Sequence, residues 1–394
     1  MDPLLSIIVP TKNRYYTLKF LAEYFYQIPS QQIELVIQDN SEKGSEQVDF
    51  MQFLKALSDN RIRYFYSNEN LSVIENSDLA VLNARGEYIS FIGDDDIFSK
   101  YIIEFAAYLK KQSIDAALPV KASYSWPDVH YRVYKNRMQG QLTETKVSGK
   151  TETVNIESVL RKVLKTGGTE IFNLPRLYHG IVKHDILRKV YAKSGSFFPG
   201  PSPDMANAIA LCKFVKTYII VDLPYIVSGH SSSSTGGQGA AGRHIGEIKD
   251  IKHLPGNTAE IWTFGVPFYW SGNTIYAESV LQSVRRMTME NELVSFNYNY
   301  LYATCLVYDR GYKHKITGTI KQSKGRISDI SYLKIYYYCC AIWTKRIVFH
   351  LKNNILPLLK KFLKLKNDRI FQQDTIADVA YLNDALIEQY LKRV

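Results

Sequence analysis

The chain has 394 residues, 46% hydrophobic and 22% charged, and aromatics reach 13% with 29 Tyr. That is apolar material for more than one buried core, and it excludes a disordered or low-complexity protein. The net charge of +11 suggests an anionic partner, but residues 311–369 hold 14 Lys/Arg against two Asp, leaving residues 1–310 near neutral. This argues against a nucleic-acid-binding main domain.

Cys212, Cys305, Cys339 and Cys340 fit no zinc spacing, and the adjacent pair is poorly placed for a disulfide. The first residues lack the basic region of a secretion signal. No apolar stretch reaches the roughly 18 residues of a membrane span. A reduced, cytoplasmic setting is expected.

From the start of the chain, apolar runs at 5–9, 33–37, 62–66 and 88–92 read as strands covered on both faces. Helical patterns at 15–26, 47–57 and 73–83 lie between them. The alternation predicts right-handed βαβ units in an open, doubly covered sheet. Further on, 155–165 and 203–215 read as helices, and 218–222 and 225–227 as strands. Residues 228–242, rich in Ser and Gly, read as a loop or lid. Residues 258–308 look helical and aromatic. The basic stretch follows, then an acidic amphipathic helix over 375–392.

Ligands of such sheets bind beyond the carboxyl ends of the strands. Those ends carry Pro10-Thr11-Lys12-Asn13-Arg14, Gln38-Asp39-Asn40-Ser41, Asn68-Glu69-Asn70 and Gly93-Asp94-Asp95-Asp96. Three successive carboxylates repel one another and favour a divalent cation such as Mn²⁺ or Mg²⁺. They equally suit a solvated turn, or a cap by Asp96 or Ser99 on the next helix. Asp204, at a predicted helix start, reads either as a general base or as a first-turn acid favoured by the helix dipole.

Ser6-Ile7-Ile8-Val9-Pro10-Thr11-Lys12-Asn13-Arg14, followed at the right distance by the run Asn70 to Asp96, resembles family 2 glycosyltransferases of GT-A fold. The resemblance covers roughly 4–230. It implies an α/β, Rossmann-like open mixed sheet with a C-terminal, mainly helical region. It places Pro10, Thr11, Arg14, Asp39, Asp78 and Asp94 at the nucleotide-sugar donor. Asp95 matches the second acid of the Asp-x-Asp metal motif, with His230 either a further metal ligand or a capping or hydrogen-bonded loop histidine. Gly93 stands in place of the first acid. Asp204 matches the catalytic base of a late Glu-Asp motif, with Pro203 in place of Glu. His179 is a candidate for facing the acceptor, against the commoner case of a hydrogen-bonded core histidine.

The resemblance implies an inverting, metal-dependent hexosyltransferase taking a UDP-sugar to a glycan or lipid-linked acceptor, in surface polysaccharide, O-antigen or capsule assembly. The alternatives are a sugar-nucleotide nucleotidyltransferase, disfavoured by the lack of Gly after the first strand, and an inactive sugar- or lipid-binding scaffold. Gln282, Arg285 and Arg286 share spacing with the Gln-x-x-Arg-Trp of processive synthases but lack the Trp, so a non-processive enzyme is expected. The expected organisation is a GT-A domain at 1–230, a lid and helical acceptor side at 231–310, and a basic amphipathic region at 311–394. Residues 311–369, mixing cations with aromatics, suit an anionic membrane surface, the inner face of the cytoplasmic membrane, the alternatives being a packed helical subdomain with a solvated basic face or an oligomer interface. No nucleic-acid partner is expected, and a homo-oligomer is allowed.

Overall fold

The computed structural model of the protein describes residues 2–130, 138–143, 147–234, 245–351, 370–373 and 375–392. Residues 235–244 of the expected lid and most of the second half of the basic stretch, 352–369, lie outside the described residues.

Strands β1 (Leu5–Thr11), β2 (Ile33–Asp39), β3 (Ile62–Tyr66) and β4 (Tyr88–Phe91) form a parallel set in the order 3-2-1-4. Helices α1 (Tyr15–Tyr26), α2 (Ser45–Leu57) and α3 (Val73–Leu82) connect them, as the alternation predicts. In β1, Leu5, Ile7 and Val9 enter one core and Ile8 the core on the opposite face, because side chains alternate along a strand. Helix α3 opens on a capping box: Ser72 Oγ accepts from Glu75 N–H, while Glu75 Oε2 accepts from Ser72 N–H.

The sheet continues through β5 (Ile97–Phe98), α4 (Ile102–Lys111), β6 (Ala116–Ser125), β7 (Gln141–Thr143) and β8 (Thr151–Thr153). Next come α5 (Ile156–Lys165), β9 (Ile181–Lys183), α6 (His184–Ser194), α7 (Pro203–Leu211) and β10 (Tyr218–His230). Strand β6 runs parallel to β10 and antiparallel to β7 and β9, and β9 runs antiparallel to β4, so the sheet is mixed. The two short strands expected at 218–222 and 225–227 are one strand whose register breaks between Val221 and Ile226. Pro224 lies in that break, where its missing N–H costs no ladder bond.

The hairpin β11 (Ile245–Gly246) and β12 (Trp270–Ser271) leads to α8 (Gly272–Arg286), α9 (Tyr298–Tyr308), α10 (Lys313–Ser323) and α11 (Tyr332–His350). These four helices enclose a core of their own, which includes Val280, Leu301, Ile316 and Ile342 and is shared with α5 and α7.

Residues 311–394 divide between the two parts of the molecule. Strand β13 (Ile370–Gln372) pairs antiparallel with β7, and α12 (Ile376–Leu391) packs against α1 and β10. Ile376, Val379, Ala380 and Ile387 are buried in the core of the first sheet. The acidic C-terminal helix is thus part of the N-terminal fold.

Candidate active site

Strands β1, β2 and β4 all end on one edge of the sheet, and there the polar residues converge. Asp94, Asp95 and Asp96 follow β4 in a tight turn and are buried. Asp94 Oδ2 accepts from Thr11 Oγ1 at 2.5 Å and pairs with Arg14 Nε at 3.0 Å. Arg14 Nη1 also lies 3.8 Å from Asp95 Oδ1. Burial pushes the Asp94 carboxyl up to about 7, against the opposing pull of Arg14. Pro10 continues β1 opposite Gln38, which sets Thr11 and Arg14 at the strand end.

The other two acids are held by the end of β10. Asp95 Oδ2 accepts from the Ser231 N–H at 2.9 Å and from Ser231 Oγ at 2.7 Å. Asp96 accepts from the backbone N–H groups of Gly93 and Gly229, at 2.7 and 2.8 Å. Gly229 is required by close approach, since a Cβ there would lie 1.7 Å from the Asp95 carbonyl oxygen.

His179 is 2% exposed and bridges the buried Asp96 to the exposed Lys121, with Nε2 2.6 Å from Asp96 Oδ2 and Nδ1 3.1 Å from Lys121 Nζ. Burial lowers the imidazole, while that imidazole and the two amides hold Asp96 below the usual range despite its burial. These partners select the neutral Nε2–H tautomer, donating to Asp96 and accepting from Lys121.

Asp204 starts α7 behind Pro203 at the first helical position, and its Oδ2 accepts from Tyr276 OH of α8 at 2.9 Å. Its charge acts on Arg176 and on Tyr178 and Lys121, two groups that Asp96 also acts on. Lys121, Tyr178, Ser231 and Tyr276 carry no motif. Each is recruited by strand pairing or helix packing, so no local signal could have found them.

Two expected donor residues have their carboxylate oxygens engaged by protein donors. Asp39 is fully buried: Oδ2 accepts from Tyr15 OH and Tyr64 OH at 2.7 and 2.6 Å, and Oδ1 from the Ser41 N–H at 2.8 Å. Asp78 accepts from Ser196 Oγ and the Phe197 N–H, at 2.7 and 2.8 Å, on the far face of α3. Asn76, two residues earlier, is the residue that reaches the strand ends, donating to the carbonyls of Thr11 and Gln38. A helix advances about 100° per residue, so positions two apart face opposite sides. Gln282 donates to Glu278 and Arg285 to Thr263, which uses both within the helical core.

Among the described residues no three or more His, Cys, Asp and Glu converge as a metal site. The ring of His230 makes no hydrogen bond to the cluster among them, although its carbonyl accepts from Trp126 N–H. A hard cation still fits. Among the described residues, Asp94 Oδ1 is buried without a hydrogen-bond partner, and Asp95 Oδ1 lies 3.8 Å from Arg14 Nη1. Mg²⁺-type ions take one or two carboxylates and complete their shell with phosphates and water.

Residues 6–162 match the model of glycosyl transferase family 2. That segment, less than half of the chain, resembles the family. Glycosyltransferase GlyG of Streptococcus pneumoniae is 25% identical over 128 residues, covering 32% of this chain and 42% of that protein. WcaA of Escherichia coli K12, named for colanic acid biosynthesis, is 33% identical over 95 residues, covering 24% and 33%. The chain thus spans less than half the length of these relatives. Among solved structures, residues 1–349 of Staphylococcus aureus TarS in complex with UDP-GlcNAc align at 13% identity and TM-score 0.48, over 82% of this chain and 81% of that one. The mannosyltransferase PcManGT of Pyrobaculum calidifontis, with GDP-Man and Mn²⁺, aligns at 12% identity and TM-score 0.44, over 90% and 82%. The matched segment places its Asp turn after β4, and the helices α8 to α11 follow it, a mixed α/β organisation with a helical C-terminal part.

Proposed function

We propose that the protein is an inverting glycosyltransferase that moves a sugar from a nucleoside-diphosphate donor, a UDP-sugar, to a glycan or lipid-linked acceptor in surface polysaccharide assembly. The observation that carries this reading is the convergence of two chemistries from separate elements. Thr11, Arg14, Asp94 and Asp95 gather at the ends of β1 and β4, and the charge of Asp204 in α7 acts on Tyr178, as that of Asp96 does.

The donor diphosphate is read as lying against Arg14 and Asp95. A Mn²⁺ or Mg²⁺ ion held by Asp95 and Asp94 would supply Lewis-acid neutralisation of the leaving diphosphate. Asp204 takes the proton of the acceptor hydroxyl, and Tyr276 fixes which carboxylate oxygen is free to do so. One base and one displacement invert the anomeric centre. The Asp96–His179–Lys121 chain, buried at Asp96 and His179, keeps the turn rigid beneath the donor. The basic residues 311–369 bring the enzyme to an anionic membrane, where a lipid-linked acceptor resides.

The test is a thermal-shift series of nucleoside diphosphates and their sugars, with and without Mn²⁺. A ligand that binds only the folded chain raises the melting temperature. A UDP-sugar is expected to do so, more with Mn²⁺ present, and transfer should give the inverted anomer by NMR. Retention of configuration, or full activity of Asp204→Asn, would sink the reading.

A further inference from the structure

Helix α11 buries one side against α9 and the helical core, through Ile335 and Ile342 with Tyr338 and Cys339 packed beside them. Its opposite side carries Leu333, Tyr336, Tyr337, Cys340, Thr344, Ile347, Val348 and Leu351, all exposed. Their three- and four-residue spacing makes one continuous stripe along the helix. Leu333 is 83% exposed, Tyr336 72% and Tyr337 67%, and Ile347 and Val348 are each more than half exposed. Scattered exposed apolar side chains need no explanation, but a contiguous stripe along a whole helix marks a contact surface.

The charge beside the stripe selects the partner. Residues 332–351 contain Lys334, Lys345 and Arg346 and no acid, and residues 352–369 add six Lys/Arg against Asp368 alone. A second copy of the chain would set two such positive segments face to face, which is repulsive. An anionic lipid leaflet offers the opposite charge and an apolar interior together. No helix among the described residues is long and apolar enough to cross a membrane. The geometry of α11 is that of a helix lying in the plane of the interface, with aromatic residues at one end of the stripe and aliphatic ones at the other.

We infer that the outer face of α11, from Leu333 to Leu351, inserts in plane into a bilayer surface rich in anionic lipid. The inference rests on the reading that residues 311–369 bring the enzyme to a membrane, and assigns the contact to one face. The full chain is sedimented with pure phosphatidylcholine vesicles and with equimolar phosphatidylcholine–phosphatidylglycerol vesicles. The triple variant Leu333→Glu, Ile347→Glu, Val348→Glu is run beside it, with Ile347→Ser, Val348→Ser as a charge-neutral control. Melting temperatures should be unchanged, because all these side chains are exposed.

The unsubstituted chain should pellet with the phosphatidylglycerol vesicles, and the triple variant should bind them at least about tenfold more weakly. The Ser variant should fall in between. Binding that survives the triple substitution overturns this face and leaves the basic run as the anchor. A chain that never pellets overturns the membrane reading as well. A dimer in solution that the triple variant dissociates, with vesicle binding unaffected, would make the stripe a protein interface and overturn the inference.

Discussion

Tyr276 of α8 donates its hydroxyl to Asp204 Oδ2 at 2.9 Å, so a residue of the helical region holds the candidate base of the sheet domain. The Asp204 charge is the main reason the Tyr276 phenol is pushed well above its ordinary value, which keeps it a donor across the working pH range. Hydrogen bonds to charged groups are worth about 1.5–3 kcal/mol. Tyr276→Phe should therefore slow transfer by about tenfold to a hundredfold, with donor affinity unchanged. Steady-state kinetics beside donor-induced thermal shifts checks this.

Asp204→Asn should lower the transfer rate by about 10²–10⁴, the usual contribution of a positioned base. Donor-induced thermal stabilisation should persist, since the donor-side residues are untouched. Loss of donor binding in this variant would mean that Asp204 serves the donor instead.

Asp78 provides a prediction about stability without catalysis. Burial lifts its carboxyl to about 6, against the opposing donors Ser196 and Phe197. The folded value lies above the ordinary carboxylate value, so the folded state binds the proton more tightly. The stability linked to this group is complete at low pH and is lost as pH rises from about 4 through about 6. Asp78→Asn should flatten that part of the pH–stability curve and add about 1–2 kcal/mol at neutral pH, leaving donor binding unchanged. Urea unfolding at pH 5 and pH 7.5 measures both.

Gly229→Ala should be among the most damaging small substitutions. The added Cβ would meet the Asp95 carbonyl at 1.7 Å and Trp126 Nε1 at 2.9 Å. Overpacking of this kind costs about 1–3 kcal/mol or more. Relief requires moving the Asp turn, so donor binding should fall together with the melting temperature.

Removal of residues 370–394 should destabilise the sheet domain itself. It removes Ile376, Val379 and Ile387 from the core and uncovers the apolar surface they cover, each being worth about 1.5–3 kcal/mol when fully buried. It also removes Asp384, whose carboxylate accepts from Tyr24 OH at 2.9 Å and from Ser99 Oγ and Lys100 N–H just beyond the Asp turn. Lower solubility and a lost or broadened thermal transition are expected, and a truncated chain that melts like the whole one would contradict this packing.

The sequence by itself determined the parallel half of the sheet. Leu5–Val9 and Ile33–Ile37 are apolar throughout because both faces are covered, and that pattern needs no partner to be read. It also determined the Asp turn after β4 and the helix start at Asp204, both local in the chain. Tertiary structure alone decided how those groups are used. Asp39 and Asp78 sit at the right places in the sequence, yet Tyr15 with Tyr64 and Ser196 with Phe197 claim their oxygens. His179 bridges Asp96 to Lys121, and Ser231 and Tyr276 reach the site from 136 and 72 residues away. The return of 370–391 to the first sheet is of the same kind. Periodicity records which face of a helix is apolar, but which distant surface buries that face is settled only when the chain has closed on itself.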